Sequence, residues 1–149
     1  MTSQPKLLEI TAEDTYAVRR PVLRPERPPE ECVFEGDLDP STLHLGIFVE
    51  QKLAGVASFM RNKSRYFDFE EQYQLRGMAV LPEFQKKEFG KKLLLEGENI
   101  LKKKFPNLLL WFNARETAVN FYKKHGYETK GDLFMIPNVC RHIVMYKVL

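Results

Sequence analysis

The sequence predicts a mixed α/β fold, in which one mostly antiparallel sheet carries helices on both faces. Strand-like and helix-like segments alternate along the 149 residues in the order β-α-β-β-β-α-β-α-β-β. The strand–helix–strand unit over residues 72–112 implies a right-handed crossover and a local parallel pair of strands. Consecutive strands elsewhere imply hairpins and antiparallel pairing. The length suits a single domain, residues 1–149, with one sizeable core.

The first predicted elements are a strand over residues 6–11 and a helix that begins at Thr11. Asp14 lies three residues after Thr11, which is the spacing of a capping box,. Pro21 and Pro25 should limit or kink this helix, because proline lacks the amide donor. Residues 24–40 are rich in Pro, Glu and Arg and predict an ordered surface excursion.

The middle of the chain predicts a hairpin followed by a third strand. Residues 44–49 and 52–60 are strand-like runs on either side of a Glu50-Gln51 turn,. A polar and aromatic connection follows over residues 61–71. The run 72–81 alternates in part and ends at Pro82, and its alternation places four residues on one face: Tyr73, Leu75, Ala79 and Leu81.

The C-terminal half predicts two helices and three strands. A helix that begins near residues 89–91 and ends at Pro106 shows a 3.6-residue apolar period, formed by Leu93, Leu94, Gly97, Ile100, Leu101 and Phe105,. Residues 108–112 are apolar without alternation, as in a strand covered on both faces. A helix over residues 118–125 with Gly126 at its C′ position follows, and strands over 127–135 and 142–148 end the chain.

Composition and charge exclude several classes of protein. The net charge of +3 is small for a nucleic-acid-binding domain, and glutamates interrupt the lysine clusters,. Cys32, Cys140 and the three histidines lack the spacing of metal ligands, so we expect no metal. Two cysteines do not form a disulfide framework, the N-terminus lacks a secretory signal, and no apolar run reaches the roughly 20 residues of a membrane span. We therefore expect a cytoplasmic protein that binds neither nucleic acid nor membranes.

The stretch FQKKEFGKK, residues 84–92, has the chemistry of an anion site. The preceding strand ends at Pro82, and the first amide groups of the following helix have no partner within the helix,. The helix dipole adds partial positive charge there, and Gly90 permits a close approach to the backbone. Taken alone, the stretch is also consistent with a solvated helix start or with a basic patch for nucleic acid.

Two motifs together resemble those of the GNAT family of acetyl-CoA-dependent N-acetyltransferases. In LRGMAVLPEFQKKEFGKKLL, Gln85 and Gly90 match the family's phosphate loop, whereas Glu88 replaces its first glycine. In LLWFNARETAVNFYKKHGYE the matching residues, in order, are Asn113, Ala118, Phe121, Tyr122, Gly126 and Tyr127. The motifs cover residues 75–128, and FMIPNVCRHIVMYK most resembles an ElaA-like branch, with Arg141 in place of a proline.

The resemblance implies an acetyl-CoA site around a central β-α-β unit. The backbone of Met78, Ala79 and Val80 would pair with the pantetheine arm of the cosubstrate. The pyrophosphate would lie on amide groups of the loop and helix start, so that the implied loop residues are Gln85, Lys86, Lys87, Glu88, Phe89, Gly90 and Lys91. Glu88 should weaken binding, because its carboxylate repels a pyrophosphate unless it points to solvent or pairs with a lysine, and because a side chain disfavours positive φ.

The resemblance also implies catalytic roles. Tyr122 would donate a proton to the departing thiolate, although its helical spacing also suits core packing. Asn113 would bind the cosubstrate arm or a water, or else belong to a helix N-cap. The general base is a choice among Glu70, Glu71 and His142, each of which also suits a surface role, and a water relay could replace all three.

The implied activity is acetyl transfer from acetyl-CoA to a primary amine of a small molecule or peptide, by direct attack in a ternary complex. The acceptor site should be walled by residues 24–40, 61–72 and 135–142. Acidic residues beside aromatic ones in the second segment suit a cationic or aromatic amine, or a solvated loop over the core edge: Asp68, Glu70, Glu71, Tyr66, Phe67 and Phe69. Alternatives are a non-catalytic acetyl-CoA-binding regulator and a small nucleic-acid binder. The oligomeric state is left open by the sequence, and the final strand is predicted to be exposed, where it could pair with a second copy in a homodimer.

Overall fold

The predicted order of strands and helices is confirmed in the computed structural model, which describes residues 4–137 and 140–149. The strands are β1 (Lys6–Glu9), β2 (Leu43–Val49), β3 (Lys52–Arg61), β4 (Gln72–Val80), β5 (Leu109–Arg115), β6 (Glu128–Met135) and β7 (Arg141–Val148). The α-helices are α1 (Ala12–Leu23), α2 (Phe89–Lys104) and α3 (Val119–Lys123). Short 3-10 turns lie at Pro29–Cys32, Pro82–Phe84 and Glu116–Ala118. The predicted turn over residues 136–141 lies partly outside the described residues.

One sheet contains all seven of these strands, in the order β1-β2-β3-β4-β5-β7-β6. Each neighbouring pair is antiparallel except β4 and β5, which are parallel as predicted. The parallel pairing joins only residues 72–74 to residues 109–111, although both strands continue well beyond it. The two strands therefore part after Gln74. The final strand, β7, lies between β5 and β6, so the expectation that it is free to pair with a second copy is wrong, and β6 forms the edge.

Helices cover both faces of the sheet, as predicted. On one face, called here the α1 face, Val18 of α1 packs with Val56 and Ala79. On the other, the α2 face, Leu93 and Leu101 of α2 belong to the main core, against which α3 also packs. Because helices cover both faces of the sheet, the gap between β4 and β5 has α1 on one side and α2 on the other.

A bulge in β4 reverses which residues face which helix. The register against β3 shifts between Val56 and Ser58, and Gly77 at that point has φ of +63°. Tyr73 and Leu75 pack in the core on the α2 face, whereas Ala79 packs on the α1 face. The prediction that these residues share one face was wrong, because one extra residue in a strand shifts the two-residue alternation.

Local sequence signals located the start of α1 and the glycine after α3, whereas other helix ends differ from the prediction by a few residues. The Thr11–Asp14 capping box is present, and α1 continues two residues past Pro21. α3 is three residues shorter than predicted, because Ala118 belongs to a 3-10 turn and Lys124 and His125 lie in the turn that follows the helix. Gly126 has φ of +89°, and the amides of Gly126 and Tyr127 donate to the carbonyls of Lys123 and Tyr122 at 3.1 and 3.2 Å, which is a Schellman ending,.

Helix α2 contains one buried charged residue that the apolar period of its sequence does not predict. Glu98 is 4% exposed and accepts hydrogen bonds from the Tyr127 hydroxyl at 2.7 Å and from Lys147 Nζ at 3.0 Å. Burial and the neighbouring Glu98 carboxylate raise the pKa of Tyr127. The carboxylate is thus satisfied on both oxygens, as a buried charge must be.

Two further observations concern the described residues as a whole. No helix among them combines the length and the apolar character required to cross a membrane. Cys32 and Cys140 are free thiols, the first of them buried.

We predict that Gly97→Ala destabilises the protein by about 1–3 kcal/mol, despite a gain of about 1 kcal/mol in helix propensity. A Cβ at position 97 would overlap the ring of Phe59, which is fully buried in the core and has no room to shift. Urea unfolding followed by circular dichroism measures the change. Asn99→Ala, on the exposed side of the same helix, is the control and should change stability by less than about 0.5 kcal/mol,. An unchanged or raised stability of the Gly97 variant would contradict the close contact.

Candidate active site

The parting of β4 and β5 opens a cleft of about 600 Å³. Its lining comes from both strands, both helix-covered faces and two loops. The lining residues are Val22, Leu23, Arg24, Phe34, Gln74, Leu75, Arg76, Gly77, Met78, Ala79, Val80, Gln85, Gly90, Phe112, Asn113, Ala114, Arg115, Ala118, Phe121, Tyr122, Ile136 and His142. These described residues include three arginines and no Asp or Glu, so the cleft attracts anions.

The cleft is lined by residues from both faces of the sheet. Gly90 and Tyr122 belong to the α2 face, and Val22 and Phe34 belong to the α1 side. On the wall between them, the edge of β4 that faces β5 has no strand partner beyond Gln74. Buried backbone groups require hydrogen-bond partners, so this edge is suited to a ligand that carries amide groups.

The start of α2 borders the cleft on the α2 face. The side-chain amide of Gln85 donates to the Val80 carbonyl at 2.9 Å and so ties the loop to the end of β4. Phe89 is buried and stacks on Phe84 with ring centroids 6.2 Å apart, which fixes the first turn of the helix. Gly90 lines the cleft, and the amide groups of this first turn lie at the helix end that attracts anions,.

Two residues of the loop have left-handed backbones that normally favour glycine. Lys86 has φ of +65°, and Glu88 has φ of +63° and ψ of +24°. Glu88 is the N-cap residue of α2, and its side chain makes no capping hydrogen bond. Among the described residues its carboxylate forms no ion pair, and it is exposed, so the charge is met by solvent.

Tyr122 both packs in the core and lines the cleft, so the two roles considered for it are compatible. Its ring lies 4.3 Å from that of Phe112 and 5.0 Å from that of Phe121, measured between centroids. Burial raises the pKa of Tyr122 to about 12, so the phenol keeps its proton at neutral pH. The residue is therefore a hydrogen-bond donor at the cleft wall.

Asn113 and His142 come from neighbouring strands on the opposite wall. Asn113 lies within β5, paired with Val144, so the alternative of a helix N-cap is wrong. The side chain of His142 is buried, and its Nδ1 lies 2.7 Å from the Cys140 carbonyl. Because a carbonyl only accepts, Nδ1 carries the proton, and Nε2 of the neutral ring keeps a lone pair.

Other residues predicted for the site do not line the cleft. Lys86, Lys87 and Glu88 are exposed, Lys91 is outside the lining, and the side chain of Phe89 lies in the core. The 61–72 segment contributes no lining residue. Its aromatic residues Phe67 and Phe69 pack against the core edge around Trp111, and Glu71 pairs with Arg61 at 2.6 Å. Asp68 and Glu70 are exposed, as the solvated-loop alternative predicts, whereas Glu71 is only partly exposed and is held in its ion pair.

The cleft residues that were not named individually from the sequence include Gln74, Arg76 and Arg115, and also Arg24 and Phe34, which lie within the 24–40 segment predicted to wall the acceptor site. Arg76 had a usable signal, because it is a lone charge inside an otherwise uncharged strand, QYQLRGMAV. Arg115 ends a strand whose neighbours were already in the motif. Phe34 had no such signal, since it lies in an irregular segment without periodicity.

A buried ion pair positions the 24–40 excursion against the cleft. Arg19, fully buried, donates to both oxygens of Asp37 at 2.7 and 2.9 Å, and also to Ser58 and the Cys32 carbonyl. Burial raises the pKa of Asp37, but the hydrogen bonds from Arg19 and from the Phe34 amide outweigh it, and the net pKa is lowered. The excursion is thus held by a buried charge pair in which Nη1 and Nη2 of Arg19 are hydrogen-bonded and only its Nε lacks a partner within the described residues,.

Comparison with known proteins agrees with this geometry. The sequence profile of the acetyltransferase (GNAT) domain matches residues 25–149. The "uncharacterized N-acetyltransferase YitI" of Bacillus subtilis is 35% identical over 140 residues, which cover 94% of this chain and 93% of that protein.

Solved structures share the fold. Escherichia coli ElaA superposes with a TM-score of 0.79 at 16% identity, covering 97% of this chain and 99% of its own. The PaiA N-acetyltransferase of Thermoplasma acidophilum, solved in complex with coenzyme A, has a TM-score of 0.67 at 19% identity over 97% of this chain and 99% of its own. At these identities the likeness is one of fold.

The profile match over residues 25–149 and the 35% identical relative together show the class of protein, which is an acyltransferase. The chain belongs to the GNAT acetyltransferase family.

We predict that Glu88→Gly and Lys86→Gly each raise the free energy of unfolding by about 0.5–1 kcal/mol. Glycine removes the left-handed strain of about 1–2 kcal/mol, and this outweighs the flexibility that it adds to the unfolded chain. Chemical denaturation measures both variants. Lys87→Gly is the control, because Lys87 lies between them without a positive φ, so the same change should lower stability. A loss of stability in all three variants would contradict the strained backbone.

Proposed function

We propose that the protein transfers the acetyl group of acetyl-CoA to a primary amine of a small molecule or peptide, acting as one domain over residues 1–149. The amine attacks the thioester directly in a ternary complex. The observation that carries this proposal is the unpaired edge of β4 opposite β5, which leads from the start of α2 past Tyr122. The free thiols of Cys32 and Cys140 suit a reducing cytoplasm, where we place the activity,.

The cosubstrate arm fits along the free edge of β4. Backbone groups of Met78, Ala79 and Val80 would bond to the pantetheine amides, with Asn113 across the gap on β5. The pyrophosphate would rest on amide groups of residues 86–91, where Gln85 and Phe89 fix the loop. The side chains of Lys86, Lys87 and Lys91 then act by long-range attraction, which agrees with their position outside the cleft.

Acetyl transfer requires a neutral amine, a donor for the oxyanion and stabilisation of the departing thiolate. A backbone amide near Val80 would serve the oxyanion. Tyr122 would serve the thiolate as a hydrogen-bond donor, since a phenol with a pKa of about 12 holds its proton against a thiol of pKa about 8.5,. His142 would receive the proton of the amine at Nε2, directly or through a water, because Glu70 and Glu71 lie outside the cleft.

A non-catalytic acetyl-CoA-binding regulator is the second candidate. Two observations favour it, namely the strained Glu88 in the phosphate loop and a cleft whose described lining contains no carboxylate base. Such a regulator would bind acetyl-CoA but acetylate no amine, and this outcome distinguishes it from the transferase.

The central test is calorimetric binding of acetyl-CoA, followed by a thiol-release assay with polyamines, amino acids, aminosugars and peptide N-termini. We predict micromolar binding and turnover with at least one amine class. Binding without turnover across the panel selects the regulator, and no binding contradicts both candidates.

We predict that Tyr122→Phe lowers kcat about 10- to 100-fold, the worth of one hydrogen bond to a charged group, with acetyl-CoA affinity unchanged. Because burial raises the pKa of Tyr122 to about 12, loss of its proton should not lower kcat of the native protein below about pH 10. Tyr146→Phe is the control, since its hydroxyl bonds to Glu128 away from the cleft. Near-normal turnover of the Tyr122 variant with saturating acceptor removes this residue from the mechanism.

We predict that Glu88→Gly and Glu88→Gln both tighten acetyl-CoA binding, by about two- to fivefold at low salt, because the carboxylate, although solvated, still repels a nearby pyrophosphate at long range,. The glutamine variant removes the charge but keeps the left-handed side chain, so it separates repulsion from strain. Glu96→Gln, further along α2, is the matched control and should leave affinity unchanged. Calorimetry at two salt concentrations measures the effect, and equal or weaker affinity of both Glu88 variants would refute it.

A further inference from the structure

Arg76 is a cation in the cleft without a partner among the described residues. It lies in β4, is half-buried, and forms no hydrogen bond or ion pair with the part of the chain that the structure describes. It lines the main cleft and also a second cavity of about 290 Å³, which adjoins the first along β4. A half-buried guanidinium with unused donors is a binding group in need of an acceptor.

The aromatic ring of Phe34 holds Arg76 in place. The guanidinium of Arg76 lies 4.4 Å from the ring centroid, and that of Arg19 lies 4.1 Å from the same ring. The charge of Arg19 is already matched by Asp37. Burial and the positive charges of Arg19 and Arg24 lower the pKa of Arg76, whereas Asp37 and Glu35 only partly oppose them. A bound anion would relieve this imbalance.

Gln74 presents a second unused donor beside Arg76. The two residues are two positions apart in the strand and so share one face. Gln74 is only 8% exposed, its Oε1 accepts from Asn62 at 2.9 Å, and its Nε2 has no partner within the described segments. It lines the same two cavities. A planar guanidinium with an adjacent amide donor matches the two oxygens of a carboxylate.

The position of Arg76 separates it from the cosubstrate phosphates. Val80, at the phosphate-loop end, lies four residues further along β4, and because the bulge at Gly77 lies between the two residues the separation is at most about 13 Å,. Arg76 also contacts Phe34 on the α1 side, whereas Gly90 and Tyr122 lie at the α2 face. An acceptor that enters from the α1 side would meet Arg76 before it reaches the thioester.

We propose that Arg76 and Gln74 bind a carboxylate of the acceptor, so that the substrate class is amino acids or short peptides with a free carboxylate near the amine. The inference deepens the proposed function and rests on it. Glu35 and Asp39 line the second cavity and disfavour a second negative charge, so a monocarboxylate is preferred over a dicarboxylate. Arg61, in the same cavity, is neutralised by Glu71.

The test compares each acid with its amide, which differ only in the carboxylate. Methionine, lysine and glycyl-leucine, each with its C-terminal amide, are titrated into the native protein saturated with CoA. The same compounds are then used as acceptors with acetyl-CoA. We expect at least tenfold tighter binding and higher kcat/KM for the acids. Acids that bind no better than their amides overturn the proposal, whether or not transfer occurs.

Arg76→Gln should remove the preference by raising Kd and KM of the acids at least tenfold. The amides and acetyl-CoA should keep their values, which shows that the variant is folded. Arg20→Gln is the matched control, because it removes one exposed positive charge from α1 outside the cleft. If Arg76→Gln weakens acetyl-CoA binding and leaves the acid-to-amide ratio intact, Arg76 serves the cosubstrate and the proposal is wrong. Acid-selective binding without any acetyl transfer would retain the carboxylate subsite and reject the transferase function.

Discussion

The shortness of the parallel pairing between β4 and β5 is the constraint on which the rest of the structure depends. Three residues of each strand pair, after which the strands part while their other neighbours hold them in the sheet. Where the strands part, the buried backbone groups along the edge of β4 have no strand partner. These groups line a cleft that contacts both faces of the sheet. Backbone groups in such a place favour a ligand with its own amides. The helix start, Tyr122 and His142 become a site because they border this gap.

The structure also depends on the buried charge of Arg19. Four hydrogen bonds join it to Asp37, Ser58 and the Cys32 carbonyl, and Ser58 in turn contacts His44 at 2.7 Å. Helix α1, the irregular excursion and the central hairpin are therefore tied at one point. Gly77 is required there for two reasons, since its φ is positive and a Cβ would come within 2.9 Å of Phe34 and 3.0 Å of Arg19. The position of the cleft wall therefore depends on the Arg19–Asp37 ion pair.

Much of the fold was readable because its signals are local. The Thr11 capping box, the hairpin at Glu50 and the glycine that ends α3 act within a few residues, and the two motifs locate Gln85, Gly90 and Tyr122 at the cleft. The failures involve interactions between distant parts of the chain. Glu98 is buried only because Tyr127 and Lys147 reach it, and the face of Ala79 depends on one bulged residue. Arg76 carried a local signal as the lone charge of its strand, but its position in the cleft depends on the parting of the strands and on its contact with Phe34, which are interactions between distant parts of the chain.

The ring of Phe34, shared by two arginines, makes stability and recognition thermodynamically linked. One guanidinium belongs to the buried framework and the other to the cleft, so the ring cannot move for one without affecting the other. Any ligand that orders Arg76 also favours the arrangement of the excursion around Arg19, and by reciprocity any loosening of that framework reduces affinity at the cleft. Selection for stability and selection for acceptor binding therefore act on the same side chain, Phe34.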